Sequence, residues 1–267
     1  MKKLFFALMI GTIMVACTAK TDNPFFQSYE NEFGAPPFDK IKTEHYMPAF
    51  TEGMKQHQAE IDSIANNPEA PTFANTIEKM DFSGELLKKV SSAFFNVQSA
   101  DTNDDLDSIA KEITPELTAH NDNIYLNDKL FQRVKTLYDN RANLGLTAEQ
   151  NRLLEKYYKN FIRSGAALNE TQKAGLREIN KELSSAELNF AQNVLAETNA
   201  YQKFVTSKDE LKGLPEGVIQ AAAEGAKEAG KEGQWLFTTQ KSSFIPVLQY
   251  GENRELRKEL LMAYTTR

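Results

Sequence analysis

Three histidines are the side chains of this sequence that best suit metal chemistry. Zinc-dependent hydrolysis uses two histidines at positions i and i+4, so that both imidazoles project from one helical face, with an intervening glutamate as base. His45, His57 and His120 have no such spacing. Because His57 and His120 fall on apolar helical faces, we expect them to be hydrogen-bonded core histidines even if they converge in space. His45 is expected to be structural, so the sequence predicts neither a metal ligand nor a catalytic residue.

An acidic stretch imitates the calcium-binding loop of an EF-hand. Its oxygen-bearing side chains stand at alternate positions and at the twelfth place: Asp101, Asn103, Asp105, Asp107 and Glu112. The pattern fails at Leu106, where the sharp turn of that loop demands glycine, and at Ser108, which is polar where the loop usually packs. The stretch instead predicts a helix start whose acids favour the positive end of the helix dipole.

Other common chemistries have little support in the sequence. The run Gly225-x4-Gly230-Lys231 resembles a phosphate-cradling loop, but Glu232 replaces the magnesium-binding Ser or Thr, and the run ends a predicted helix instead of following a strand. No Gly-x-Ser-x-Gly elbow occurs, so nucleophilic catalysis has no signature here. Lys and Arg total 31 against 37 Asp and Glu, and this mild acidity opposes binding to nucleic acid.

The N-terminus has the three parts of an export signal. Lys2 and Lys3 are its charged region, the apolar stretch runs from Leu4 to Val15, and a small residue precedes Cys17. This stretch of about 12 residues is too short to span a bilayer, which needs about 20. The run Met14-Val15-Ala16-Cys17 resembles a bacterial lipobox, in which the chain is cut before the cysteine and the cysteine is lipidated.

We therefore expect an exported lipoprotein that is anchored to the membrane through Cys17, on the periplasmic side or the cell surface. Residues 1–16 would be its signal peptide. Residues 17–37 carry three prolines and no sustained period, which predicts a tether, and residues 38–267 would form the folded part. The alternative is an ordinary secretory signal followed by a free thiol.

The elements that would position any site are helices, because apolar residues recur at a period near 3.6 after residue 37. A first helix follows Pro48, a second runs from Phe73 to Val97, and a third runs from Leu106 to Ile124. Later helix starts are marked by capping residues and by a proline: Asn127, Thr147, Asn169, Pro215 and Asn253.

The helix after Asn169 is predicted to extend to Glu197. Its apolar residues share one face: Leu176, Ile179, Leu183, Ala186, Phe190 and Val194. Two stretches, Tyr201 to Val205 and Gln234 to Thr239, have the aromatic and β-branched content of strands. The predicted fold class is therefore mostly α, with at most a small β-ribbon.

A series of short motifs resembles the N-terminal region of the M3 zinc metallopeptidases, and most closely the peptidyl-dipeptidases. The motifs in chain order include His45-Tyr46-x-Pro48-Ala49-Phe50, Asn67-Pro68-x2-Pro71-Thr72-Phe73-x-Asn75, Ser83-Gly84-Glu85-Leu86-Leu87, Leu130-Phe131-x-Arg133-Val134 and Trp235-x-Phe237-Thr238. No single motif is diagnostic, but their order and spacing together are. The resemblance covers most of the chain after the signal peptide.

The resemblance implies a helical N-terminal lobe of a peptidase that removes dipeptides from the C-terminus of oligopeptides. In this family two lobes enclose a deep channel, and the N-terminal part forms a wall that restricts entry to short, flexible peptides. The zinc would be held by a His-Glu-x-x-His helix and a later Glu, which would lie beyond Arg267. We therefore expect this chain alone to bind no zinc and to be inactive.

Two interpretations of the function follow. In the first, the chain is an N-terminal fragment of such a lipid-anchored peptidase, and the last helix supports this because it reaches Arg267 without a terminating Gly, Asn or Pro. In the second, the chain is a lipid-anchored helical module that binds a peptide or a protein without catalysis.

Overall fold

The computed structural model describes residues 23–31 and 33–267. The predicted signal peptide and Cys17 lie outside the described residues. The chain divides after Ser185 into two compact units, and each is described by itself. None of the helices in the described part of the chain combines the length and the apolar character that crossing a bilayer requires.

The first unit is built from helices. Its main elements are α1 (Tyr46–Ala65), a π-helical turn (Phe73–Glu78), α2 (Lys79–Asp81), α3 (Glu85–Ala100), α4 (Asp104–Tyr125), α5 (Asp128–Asp139), α6 (Ala148–Arg163) and the first part of α7 (Glu170–Ala200). Short 3₁₀ turns lie at Pro24–Phe26, Thr43–His45 and Arg141–Asn143. The mostly α prediction is confirmed. The predicted first and third helices correspond to α1 and α4, and Pro48 lies in the first turn of α1.

One apolar core holds the C-terminal half of α1 against α5 and α6. Its fully buried members include Ile61, Ile77, Leu130, Leu154 and Phe161. A second group of aromatic rings joins the start of α1 to α3, where Phe94 lies 5.0 Å from Tyr46 and 5.4 Å from Phe50, measured between ring centroids. Edge-to-face contacts of this kind add to the stabilisation that burial supplies. These contacts fix α1 and α3, the helices that carry most of the candidate site.

The second predicted helix, Phe73 to Val97, is wrong as one element. The structure breaks it after Asp81, and α3 begins only at Glu85. Gly84 has a φ of +71°, a left-handed conformation that glycine adopts without strain, and a Cβ there would lie 2.9 Å from the ring of His57. The break therefore lets the chain turn closely around His57.

The predicted helix starts are confirmed where the caps form. Asn127 accepts a hydrogen bond from the backbone of Leu130, and Asn253 accepts from Leu256. Thr147 and Gln150 form a reciprocal capping box at α6. The acidic stretch is also a helix start, because Asn103 caps α4 by accepting from Leu106.

The second unit combines short helices with a β-ribbon. Its elements after α7 are β1 (Lys203–Val205), a 3₁₀ turn (Lys208–Leu211), α8 (Glu216–Glu228), β2 (Trp235–Phe237), α9 (Lys241–Tyr250) and α10 (Arg254–Thr265). The strands pair antiparallel with Phe204 opposite Leu236, so the predicted ribbon is confirmed. Helix α9 was not predicted, because Pro246 in its interior disguised it. It forms nonetheless, since Phe244 and Val247 are buried in the core of this unit.

The predicted tether needs a correction from Asn23 onward. Phe25 is only 1% exposed and packs against Tyr46, with 5.5 Å between the ring centroids. Asn23 donates a hydrogen bond to the backbone oxygen of His45 over 2.8 Å. The segment 23–29 is therefore part of the first unit, although its prolines and lack of a period suggested a free linker.

Candidate functional site

A chain of hydrogen bonds connects α1, the turn before α3, and α4. His57 Nδ1 lies 3.0 Å from His120 Nε2, and His57 Nε2 lies 3.2 Å from Ser83 Oγ. Ser83 Oγ donates to the backbone oxygen of Met80 over 2.7 Å. Ser83 and His120 are buried and His57 is half-buried. We call Ser83, His57 and His120 the histidine chain.

The hydrogen-bond chemistry fixes where its protons are. The single hydroxyl proton of Ser83 is given to Met80, so Ser83 Oγ can only accept from His57 Nε2. A neutral His57 protonated at Nε2 has a bare Nδ1, which accepts from His120 Nε2. In this arrangement His57 is neutral, and each hydrogen bond runs in one direction only.

Electrostatics agree with neutral rings. Burial, followed by the neighbouring His120 and by Lys88, lowers the pKa of His57 to about 4, although the carboxylate of Glu60 acts in the opposite direction. Burial also lowers the pKa of His120. Adding a proton to His57 would put two N–H groups face to face across a 3.0 Å gap. The histidine chain therefore excludes an additional proton at neutral pH.

The order Ser83, His57, His120 has the outline of a nucleophile, a base and an orienting group. Its proton arrangement is the reverse of that required, because His57 donates to Ser83 and the hydroxyl is committed to Met80. Ser83 is also 4% exposed. The arrangement is therefore a structural junction, and it agrees with the expectation of hydrogen-bonded core histidines.

Two clefts border the turn that carries Ser83 and Gly84. One, of about 730 Å³, lies between the N-terminal segment, α1 and α3, and is lined by Tyr29, Glu60, Glu85 and Lys89 among others. The second, also of about 730 Å³, is lined by Glu60, Ser83 and the exposed Phe82. Glu60 belongs to both and accepts a 2.7 Å hydrogen bond from the backbone of Gly84. Both clefts are therefore concave surfaces next to the histidine chain.

Arg133 ties together two of the motifs that carry the family resemblance. Its guanidinium donates to the backbone oxygens of Asn67 and Glu69 and to the side-chain oxygen of Asn75, each over 2.9 Å. The planar fork of arginine suits such divided bonding, whereas a lysine could not reproduce it. Since Arg133 is 8% exposed, these bonds replace its hydration. The loop after α1 is thereby fixed to α5.

Lys89 holds the N-terminal segment on α3. Its ammonium donates to the backbone oxygens of Phe25, over 3.1 Å, and of Gln27. It also lies 3.7 Å from the centroid of the Tyr29 ring, which is a cation–π contact. Lys89 therefore helps to hold this wall of the first cleft, together with the packing of Phe25 on Tyr46.

The structure places only some of the residues that the sequence analysis singled out. Cys17 lies outside the described residues. His45 is structural, as expected, because its Nδ1 accepts a hydrogen bond from the backbone of Lys42 over 3.0 Å. Within residues 23–31 and 33–267, no three His, Cys, Asp or Glu side chains are placed to hold a metal. The described residues thus offer no ligand set that fits the zinc implied by the family resemblance.

Sequence reasoning missed Arg133 and the pairing of His57 with His120. Arg133 carried a signal, since it stands within the apolar run from Leu130 to Leu137 of an amphipathic helix. The histidine pair carried none, because its members are 63 residues apart.

Comparison with curated proteins finds peptidases. The chain is similar to dipeptidyl carboxypeptidases and to oligopeptidases A, which confirms the resemblance to the M3 group. It is 39% identical to the dipeptidyl carboxypeptidase of Escherichia coli strain K12 over 247 residues, which are 92% of this chain and 36% of that protein. The corresponding Salmonella typhimurium protein is 38% identical over 92% of this chain and 36% of its own length.

Oligopeptidase A of Haemophilus influenzae is a more distant relative. It is 29% identical over 88% of this chain and 34% of its own length. No protein-family profile matches the chain. The chain thus spans about a third of the length of the curated relatives it matches.

Proposed function

We propose that this chain is the N-terminal section of a peptidase that releases dipeptides from the C-terminus of oligopeptides. The observation that carries the proposal is the 39% identity to a dipeptidyl carboxypeptidase along 92% of the chain. The contacts of Arg133 support the proposal, because they join two motifs of the resemblance in the folded chain.

In this proposal the chain forms a wall of the substrate channel, and the rest of the enzyme supplies the catalytic groups. Its own residues position that wall. The histidine chain holds α1, α4 and the turn before α3 together, and Lys89 holds the N-terminal segment on α3. Rigid positioning of this kind is what a channel that selects substrates by size needs. Zinc would be bound only by the remaining part of the full-length enzyme.

We further propose that the protein is exported and anchored to a membrane by lipid on Cys17. The support is the N-terminal pattern of charge, apolar stretch and lipobox-like residues. Two or more acyl chains would anchor the protein stably, whereas one would not. Only a few residues would then separate the lipid from the packed segment that begins at Asn23.

A chimera tests the proposed function. Residues 23–267 of this chain, which include the packed N-terminal segment, replace the matched third of the Escherichia coli dipeptidyl carboxypeptidase, and the release of dipeptides from a short peptide is measured. We expect activity within about tenfold of the parent enzyme, since a correctly built wall leaves the chemistry unchanged. The matched control is the remainder of the parent enzyme without this chain, which should be inactive.

A folded chimera without activity would contradict the proposal and favour the non-catalytic binding module. The isolated chain should cleave no peptide and bind no stoichiometric zinc, because hydrolysis needs a metal ligand set and a base that its described residues do not provide. One zinc per chain in the pure, tag-free protein would overturn that expectation.

A further inference from the structure

Helix α7 directs its polar side toward its own unit. Lys173 is buried and forms ion pairs with Asp128 and Glu170. One and two turns further along, Arg177 donates to Asn123 over 3.0 Å and Asn180 donates to Asp122 over 2.8 Å. The helix is therefore fixed to α4 and α5 by polar groups.

Part of the apolar side of α7 is exposed. In the part of the helix that belongs to the first unit, Ile179 is 60% exposed and Leu183 is 52% exposed. These residues lie four positions apart and so on one face, roughly a quarter turn away from the polar side at about 100° per residue. An amphipathic helix normally buries its apolar stripe, whereas Ile179 and Leu183 face away from the unit.

A row of exposed apolar residues on an otherwise well-bonded helix marks an interaction surface. We define the α7 face as Ile179 and Leu183, the residues of the first unit.

We infer that the α7 face is covered by the part of a dipeptidyl carboxypeptidase chain that has no counterpart in these residues. This inference rests on the proposed function. Its support is the length of the relatives, since only 36% of the Escherichia coli protein is matched and the rest of that polypeptide is available to cover the face. Burial of the two side chains against that partner would remove their exposed apolar area from water.

Thiol labelling tests the inference in the chimera described above. Cys17 is the single cysteine of the chain and lies outside the grafted residues 23–267. Cysteines are introduced one at a time as Ile179→Cys and Leu183→Cys, with Glu178→Cys as the matched control on an exposed side of the same helix. The isolated chain carries Cys17→Ser, and the labelled position is identified by mass spectrometry.

We expect labelling at positions 179 and 183 to be at least about tenfold slower in the chimera than in the isolated chain, because a packed interface excludes the reagent. Labelling at position 178 should be the same in both. Equal rates at all three positions would overturn the inference. Slow labelling in the isolated chain that depends on its concentration would also overturn it, since a second copy would then cover the face.

Peptidase activity of the same chimera separates this inference from the proposed function. Protection without activity would support the α7 interface and contradict the proposed function. Activity without protection would support the proposed function and contradict the interface. A chimera that fails to fold counts against both.

Discussion

Acidification should destabilise the first unit through the histidine chain. His57 is neutral in the fold, with a pKa of about 4, whereas an unfolded histidine titrates near about 6.5. The unfolded chain therefore binds more protons between these values, so the free energy of unfolding falls as the pH falls. The contribution is fully present above about pH 6.5 and is lost toward about pH 4.

The magnitude follows from the size of the pKa change. A fall from 6.5 to about 4 corresponds to about 3 kcal/mol at about 1.36 kcal/mol per pH unit. Because His57 is only half-buried, solvent screening reduces this to about 2 kcal/mol. The charges that face it from neighbouring positions are Glu60, which favours protonation, and Lys88, which opposes it.

Urea unfolding followed by circular dichroism, between about pH 7.5 and about pH 4.5, measures this loss. The control is His57→Gln/His120→Gln, which keeps amide donors and acceptors but cannot titrate. The wild type should lose at least about 2 kcal/mol more than the double variant over this range, because only the wild type carries His57 and His120, whose pKa values are both lowered by burial. Equal pH dependence in the two proteins would refute the reasoning.

Three further predictions concern single side chains. Arg133→Ala should lower the free energy of unfolding by about 2–4 kcal/mol, because three carbonyl oxygens lose a charged donor. The surface control Arg152→Ala should lower it by less than about 1 kcal/mol, and chemical denaturation compares the two variants. Lys89→Met should release the N-terminal segment and speed amide exchange over 23–29 by at least about tenfold, and Lys55→Met, an exposed control, should leave it unchanged. Cys17→Ser should move the protein from the detergent-extracted membrane fraction to the soluble periplasmic one, and unchanged fractionation would argue for an ordinary secretory signal.

Local chemistry made much of the fold predictable from the sequence. Thr147 with Gln150 and Asn169 with Gln172 announce helices because caps act over three residues, and both reciprocal bonds form. The break at Gly84 was missed because apolar periodicity continues across it. At this break Gly84 lies close to the ring of His57, and a local sequence pattern does not predict a contact between residues so far apart.

The candidate site depended on contacts between distant residues and was less predictable. His57 and His120 lie on apolar faces that the sequence identified, but their meeting depends on how α1 packs against α4. The burial of Phe25 and its hydrogen bond to Lys89 were likewise not predicted, because the segment is rich in proline and has no apolar periodicity. The exposed face of α7 was predicted as an apolar stripe, and only the structure shows that polar residues face its own unit instead.

The central claim is that this chain serves as the N-terminal section of a dipeptide-releasing peptidase. The most direct test is mass spectrometry of the products that the chimera forms from one peptide, prepared with either a free or an amidated C-terminus. The account predicts successive C-terminal dipeptides from the free peptide, as with the parent enzyme, and little product from the amidated one. No cleavage by a folded chimera, or internal cleavage of both peptides without dipeptide release, would contradict it.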